Sequence, residues 1–266
     1  SGFDGAPDQS LWYPSALANA LGGKDLDPEN PEMVIQVNSA ANWNTRNDGT
    51  PRSTEYDLQS VFLHEMGHGL GFLSTDSYDQ FFGYGTIEQP TPFDAYAQLS
   101  DGRRLSDLPS PSIELGKALT STLVWAGALG IAANGGQKPI LYTPARYEEG
   151  SSVSHLDEAT YANLGANSIM TPTLDAGEIF REPGTLLLAM MEDLRRKPPV
   201  GVAIGVPQVV RNAAAVVSDG AAIITFDPPA NARTAQITSY SVRNLKTDQV
   251  KSSTESPITF TGLKNG

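Results

Sequence analysis

The sequence contains no cysteine. That absence excludes disulfides, thiolate metal sites and cysteine nucleophiles together, so a bound metal must be held by imidazole or oxygen. It leaves the compartment open. Basic residues are also scarce: 18 Lys plus Arg stand against 30 Asp plus Glu, a net charge of −12 over 266 residues. Phosphate binding needs clustered positive charge, so no nucleic-acid partner is expected. No apolar run is long enough to span a bilayer, the longest candidate being the glycine-interrupted stretch around Val124 to Ala133. The opening Ser1-Gly2-Phe3-Asp4-Gly5 carries no basic and apolar signal segment. Such a chain either stays inside the cell or has had that segment removed.

The length suffices for one large or two ordinary domains. Charge is unevenly spread along it. Residues 1 to 200 hold 12 Lys plus Arg against 26 Asp plus Glu, whereas residues 201 to 266 hold 6 against 4. Two parts with different surfaces are expected.

Local signals predict a short helix over Pro14 to Leu21, stopped by Gly22-Gly23, and a brief strand over Met33 to Val37. The loop from Trp43 to Pro51 is rich in Asn, Asp and Gly. Its oxygens could take Ca2+, but no calcium-loop spacing is present and ordinary turn roles are the simpler reading. A helix from about Glu55 to Gly69 follows. Beyond it Tyr78, Phe81, Phe82, Tyr84, Phe93 and Tyr96 concentrate aromatic surface, either lining a cleft or forming a local core. Further helices are predicted at Ser112 to Leu119 and Gly184 to Arg196, and Lys197-Pro198-Pro199 begins a linker. From Gly205 short alternating segments appear at Gln208 to Val210, Ala221 to Phe226, Ile237 to Val242 and Ile258 to Phe260. That pattern is all-β and sandwich-like.

The chemistry concentrates in Val61-Phe62-Leu63-His64-Glu65-Met66-Gly67-His68-Gly69-Leu70-Gly71-Phe72. His-Glu-x-x-His on a helix puts His64 and His68 one turn apart on one face, within reach of a single ion. Glu65 beside them can hold a metal-bound water and take its proton. Gly71 can adopt a positive φ, end the helix sharply and turn the chain toward a third ligand. Only one other histidine exists, His155. Glu88, twenty residues after His68, competes for the third position, but Gly85-Thr86-Ile87-Glu88-Gln89-Pro90 is a poor helix and His155 is favoured. Asp157 could orient His155, although a solvated loop carboxylate is the plainer reading.

The run His64 to Phe72, taken with Ser168-Ile169-Met170-Thr171-Pro172, resembles the metzincin clan of zinc endopeptidases. In most metzincins the third ligand follows the glycine after two residues, which here is Ser74, a poor zinc ligand. The 83 residues between Gly71 and His155 instead resemble the insertion of the leishmanolysin-like branch. That resemblance implies an α+β, two-subdomain zinc peptidase over residues 1 to 198, with an insertion at about 75 to 154. It implies one catalytic zinc held by His64, His68 and His155, Glu65 as general base and then general acid, and Met170 in the turn under the metal. Pro172 occupies the position where some relatives place a tyrosine ligand. The implied activity is one-step hydrolysis of peptide bonds in protein or peptide substrates, in a secreted, extracellular setting.

After a linker at 199 to 204, residues 205 to 266 resemble the first part of a fibronectin type III domain, through Ile223-Ile224-Thr225-Phe226-Asp227-Pro228-Pro229, Ile237 to Val242 and Gly262-Leu263-Lys264-Asn265-Gly266. Two further strands of that family are missing, so the chain is expected to be a fragment of a longer protein. The β part could bind other surface or matrix partners. A competing function is a non-catalytic binding or surface protein stabilised by zinc. Glu65 argues against it, because a structural site needs no such carboxylate and normally has four protein ligands.

Overall fold

A computed structural model describes residues 3–46, 49–201, 209–229, 237 and 239–264. The chain divides into two compact units, Ser1–Val200 and Gly201–Gly266. It is an α+β protein whose described strands form several small sheets and no barrel. Among the described residues no helix is long and apolar enough to cross a membrane.

The first unit opens with α1 (Ser15–Gly22), closed by Gly23 in the left-handed region. Residues 33–38 carry no strand, although their β-branched pattern predicts one. The two-residue strands β1 (Trp43–Asn44) and β2 (Tyr56–Asp57) pair in parallel and lead into α2 (Leu58–Gly69). This helix begins later than the expected Glu55 because that carboxylate is already engaged. Glu55 binds Arg46 and Arg52 through its two oxygens, and Asp57 takes over as the cap by accepting from Ser60 N–H at 2.9 Å. Arg181 clamps the same Asp57 at 2.6 Å. The start of α2 is thereby tied to a segment more than a hundred residues away.

After α2 come β3 (Asp76–Tyr78) and β4 (Gly85–Ile87), an antiparallel hairpin. Next are α3 (Pro92–Tyr96) and β5 (Ala97–Leu99), then α4 (Ile113–Leu119), capped by Ser112, and β6 (Leu123–Trp125), antiparallel to β5. Helix α5 (Ala128–Ala133), the single-turn α6 (Glu158–Tyr161) and α7 (Gly184–Leu194) complete the unit.

The aromatic residues after α2 divide between two fates. Phe93 and Tyr96 join Phe72 and Trp125 in the core, with ring centroids 4.8 to 5.2 Å apart. Phe81 and Phe82 point to solvent from the hairpin turn. Asp193 of α7 anchors this core: its carboxylate accepts from Trp125 Nε1 at 3.0 Å and from the N–H groups of Leu129 and Gly130 at 3.1 and 2.8 Å. One buried acid thus caps α5 and orients the central indole.

The second unit contains β7 (Arg211–Ser218), β8 (Ala221–Asp227), β9 (Tyr240–Arg243), β10 (Val250–Ser253) and β11 (Ile258–Thr261). They form a three-stranded antiparallel sheet, β11-β8-β7, and a β9–β10 hairpin. Alternation along β8 and β11 buries Ala222, Phe226, Ile258 and Phe260. The strand expected at Gln208 to Val210 is not formed at 209 and 210, and Gln208 lies outside the described residues, as do Thr238 and the closing Asn265-Gly266.

Candidate metal centre

Helix α2 places His64 and His68 one turn apart, and the chain returns with His155 so that three imidazoles face one point. The Nε2 atoms lie 3.0 Å apart for His64 and His68, 3.3 Å for His68 and His155, and 3.2 Å for His64 and His155. A tetrahedral ion with metal–nitrogen bonds of about 2.0 to 2.1 Å would hold its ligands about 3.3 Å from one another. The match is close.

The opposite ring nitrogens fix the tautomer. Nδ1 of His64 donates to the Ile169 carbonyl at 2.6 Å, that of His68 to the Phe72 carbonyl at 2.7 Å, and that of His155 to the Ser151 carbonyl at 2.8 Å. A carbonyl only accepts, so each Nδ1 carries the hydrogen and each Nε2 presents a lone pair. Three lone pairs aimed at one another repel unless a cation stands between them. Protons are poor candidates for that role: burial, followed by the neighbouring imidazoles, lowers His68 to about 4 and His155 to about 3. The group could therefore bind a metal ion, and it is the only such group of three or more His, Asp or Glu among the described residues.

Local structure explains how the third histidine arrives. Gly71 has φ +124 and ends α2 by turning the chain away, as its place after the motif predicts. The segment beyond it supports two of the three histidines: the Phe72 carbonyl holds His68, and Ser74 N–H donates to Ser154 Oγ at 2.9 Å, beside His155. His155 ends a bend that includes Val153 at φ +69, and its neighbour Leu156 donates N–H to the Met170 carbonyl at 2.8 Å.

Met170 is fully buried, and its sulfur lies against Gly67, between the two helical histidines. The residue before it, Ile169, supplies the carbonyl that holds His64. One turn thus orients His64 and packs under the helix that carries it.

Glu65 is half-buried, and its carboxylate makes no hydrogen bond among the described residues and stays available. Glu88 is exposed and outside the cluster. Asp157 makes no hydrogen bond to His155 among the described residues: it caps α6, accepting from Thr160 N–H at 2.9 Å. In the loop from Trp43 to Pro51, Asn47 and Asp48 lie outside the described residues, and Asn44 is spent on Arg46 N–H. The three carbonyl clamps and the Gly67 contact are invisible in sequence, since no side chain signals them.

Comparisons with protein-family models, with curated proteins and with solved structures found no match to this chain.

Proposed function

We propose that this chain is a secreted zinc-dependent endopeptidase of metzincin type, closest in plan to the leishmanolysin-like branch. The observation that carries this reading is the convergence of three Nε2 lone pairs, with Glu65 next to the first of them on the same helix. Three imidazoles, with no fourth protein ligand among the described residues, are the donor set of a catalytic zinc site with an open position. Zinc held there supplies polarisation of a scissile carbonyl and acidification of water.

The chain's own residues do the rest. Glu65 takes a proton from the attacking water and delivers it to the leaving amine. The Ile169, Phe72 and Ser151 carbonyls keep the imidazoles in the ligating tautomer, and Met170 fills the space beneath them. No serine or threonine nucleophile is needed. The C-terminal unit, with its antiparallel sheet and hairpin, fits a fibronectin type III-like module that would contact surface or matrix partners.

The test is cleavage of an unfolded protein substrate by the zinc-loaded chain beside its Glu65→Ala variant. The expected result is cleavage by the first, and full zinc content with almost no turnover in the second. A zinc-loaded wild-type chain that cleaves nothing, or a variant as active as wild type, would overturn the reading. The first of these outcomes favours a non-catalytic, zinc-stabilised binding protein.

A further inference from the structure

We infer that Asp76 and Asp94 form a second metal site, taking a hard divalent cation of the calcium class through oxygen ligands. Asp94 has no exposed surface. Its Oδ2 accepts from Thr91 N–H at 2.7 Å and from the Thr91 hydroxyl at 3.0 Å, whereas its Oδ1 is buried with no partner. Asp76 opens β3, and its Oδ2 is likewise buried without a partner. The Ser74 hydroxyl bears on both carboxyl groups and accepts from Asp76 N–H at 3.2 Å, so the two acids are neighbours, and the Tyr147 hydroxyl also bears on Asp76.

Among the described residues neither carboxyl group forms an ion pair. A fully buried Asp94 and the buried Oδ2 of the half-buried Asp76, with no countercharge paired to them among the described residues, favour uptake of a proton or a cation, because an uncompensated buried charge is costly. Burial raises Asp94 to about 7 and raises Asp76 as well, and the charge on Asp76 adds to the shift at Asp94. Near neutral pH a proton is therefore held only in part.

The available donors are two carboxylates and a hydroxyl. The Leu73 carbonyl lies 2.9 Å from the Thr91 hydroxyl and competes with Asp94 for its one hydrogen, the Asp76 carbonyl accepts from the Tyr147 hydroxyl at 3.3 Å, and each has a lone pair to spare on the same segment. All are hard oxygens, the ligand class of calcium and unlike the imidazole set of the first centre. Buried oxygens lacking any partner are where an ion or an ordered water belongs. A cation here would brace residues 72 to 76, whose Phe72 carbonyl holds His68 and whose Ser74 N–H holds Ser154. The inference rests on these oxygens and does not require the chain to be a peptidase.

The test uses the zinc-loaded full chain with Tb3+ as the probe, read by luminescence sensitised through tyrosine and tryptophan, and with Ca2+ as competitor. We expect one saturable site displaced by Ca2+, at least tenfold weaker in Asp94→Asn and in Asp76→Asn, with each variant checked for native circular dichroism and zinc content. Ca2+ should raise Tm in the wild type alone. Binding that is absent, or unchanged in both variants, would overturn the proposal. Should the variants fail to fold, the wild-type comparison decides: a Tm indifferent to Ca2+, with stability that grows as pH falls from 7 to 5, would mean that a shared proton fills the gap.

Discussion

The sulfur of Met170 occupies the space where a side chain on Gly67 would begin: a Cβ there would stand 2.7 Å from Sδ and 3.2 Å from Cε. Glycine at position 67, between His64 and His68, is therefore a packing requirement. It lets the turn containing Met170 press against α2 and bring the Ile169 carbonyl to His64.

Gly67→Ala sets two effects against each other. Alanine in a helix interior is favoured over glycine by about 1 kcal/mol, but overpacking a filled site costs roughly 1 to 3 kcal/mol. Because Met170 is fully buried, overpacking should win and the variant should be less stable in urea unfolding. Adding Met170→Ala should recover part of the loss, so the double variant should be more stable than the sum of the single effects allows.

Asp193→Ala should be among the most damaging substitutions remote from the metal centre. It strands three donors at once, on Trp125, Leu129 and Gly130. Each buried donor left without its charged acceptor costs about 1 to 3 kcal/mol, giving an expected total of roughly 3 kcal/mol or more. Thermal unfolding measures the loss, and Trp125 fluorescence should shift as the indole N–H loses its partner. Asp193→Asn should lose less.

The acid limb of stability should depend on Glu55. Hydrogen bonding by Arg46, then by the Arg52 backbone N–H, lowers this carboxyl to about 2 from an ordinary value of 4.5. A depressed carboxyl stabilises the fold above its unfolded pKa, and that contribution is lost as pH falls through the folded one. The wild type should therefore lose stability from about pH 4.5 down toward pH 2. Glu55→Gln should be less stable than wild type at pH 6, and the two should converge near pH 2 in urea titrations at each pH.

Much of this arrangement was legible before any coordinates, and the reasons differ by element. His64 and His68 follow from helical spacing alone, and His155 follows because no other imidazole remains. Gly71 announced the turn that it makes, by its position after the motif. Other features were hidden because they depend on partners. The carbonyls of Ile169, Phe72 and Ser151 carry no side-chain signature. Met33 to Val37 reads as a strand, yet strand formation needs a neighbour and none is paired with it among the described residues. Conversely Arg211–Ser218 is alanine-rich and Val250–Ser253 lacks a clear apolar alternation, but both pair with adjacent strands. Pairing overrides weak local preference.

Zinc K-edge absorption on the purified chain, with zinc stoichiometry, tests the central claim most directly. The account predicts one zinc per chain with three imidazole nitrogens at about 2.0 to 2.1 Å and the rest of the shell oxygen. His155→Ala should weaken zinc binding by more than about 100-fold, beyond the 10- to 100-fold that loss of an outer-shell partner costs. A shell without three imidazoles, or full zinc retention in His155→Ala, would contradict it.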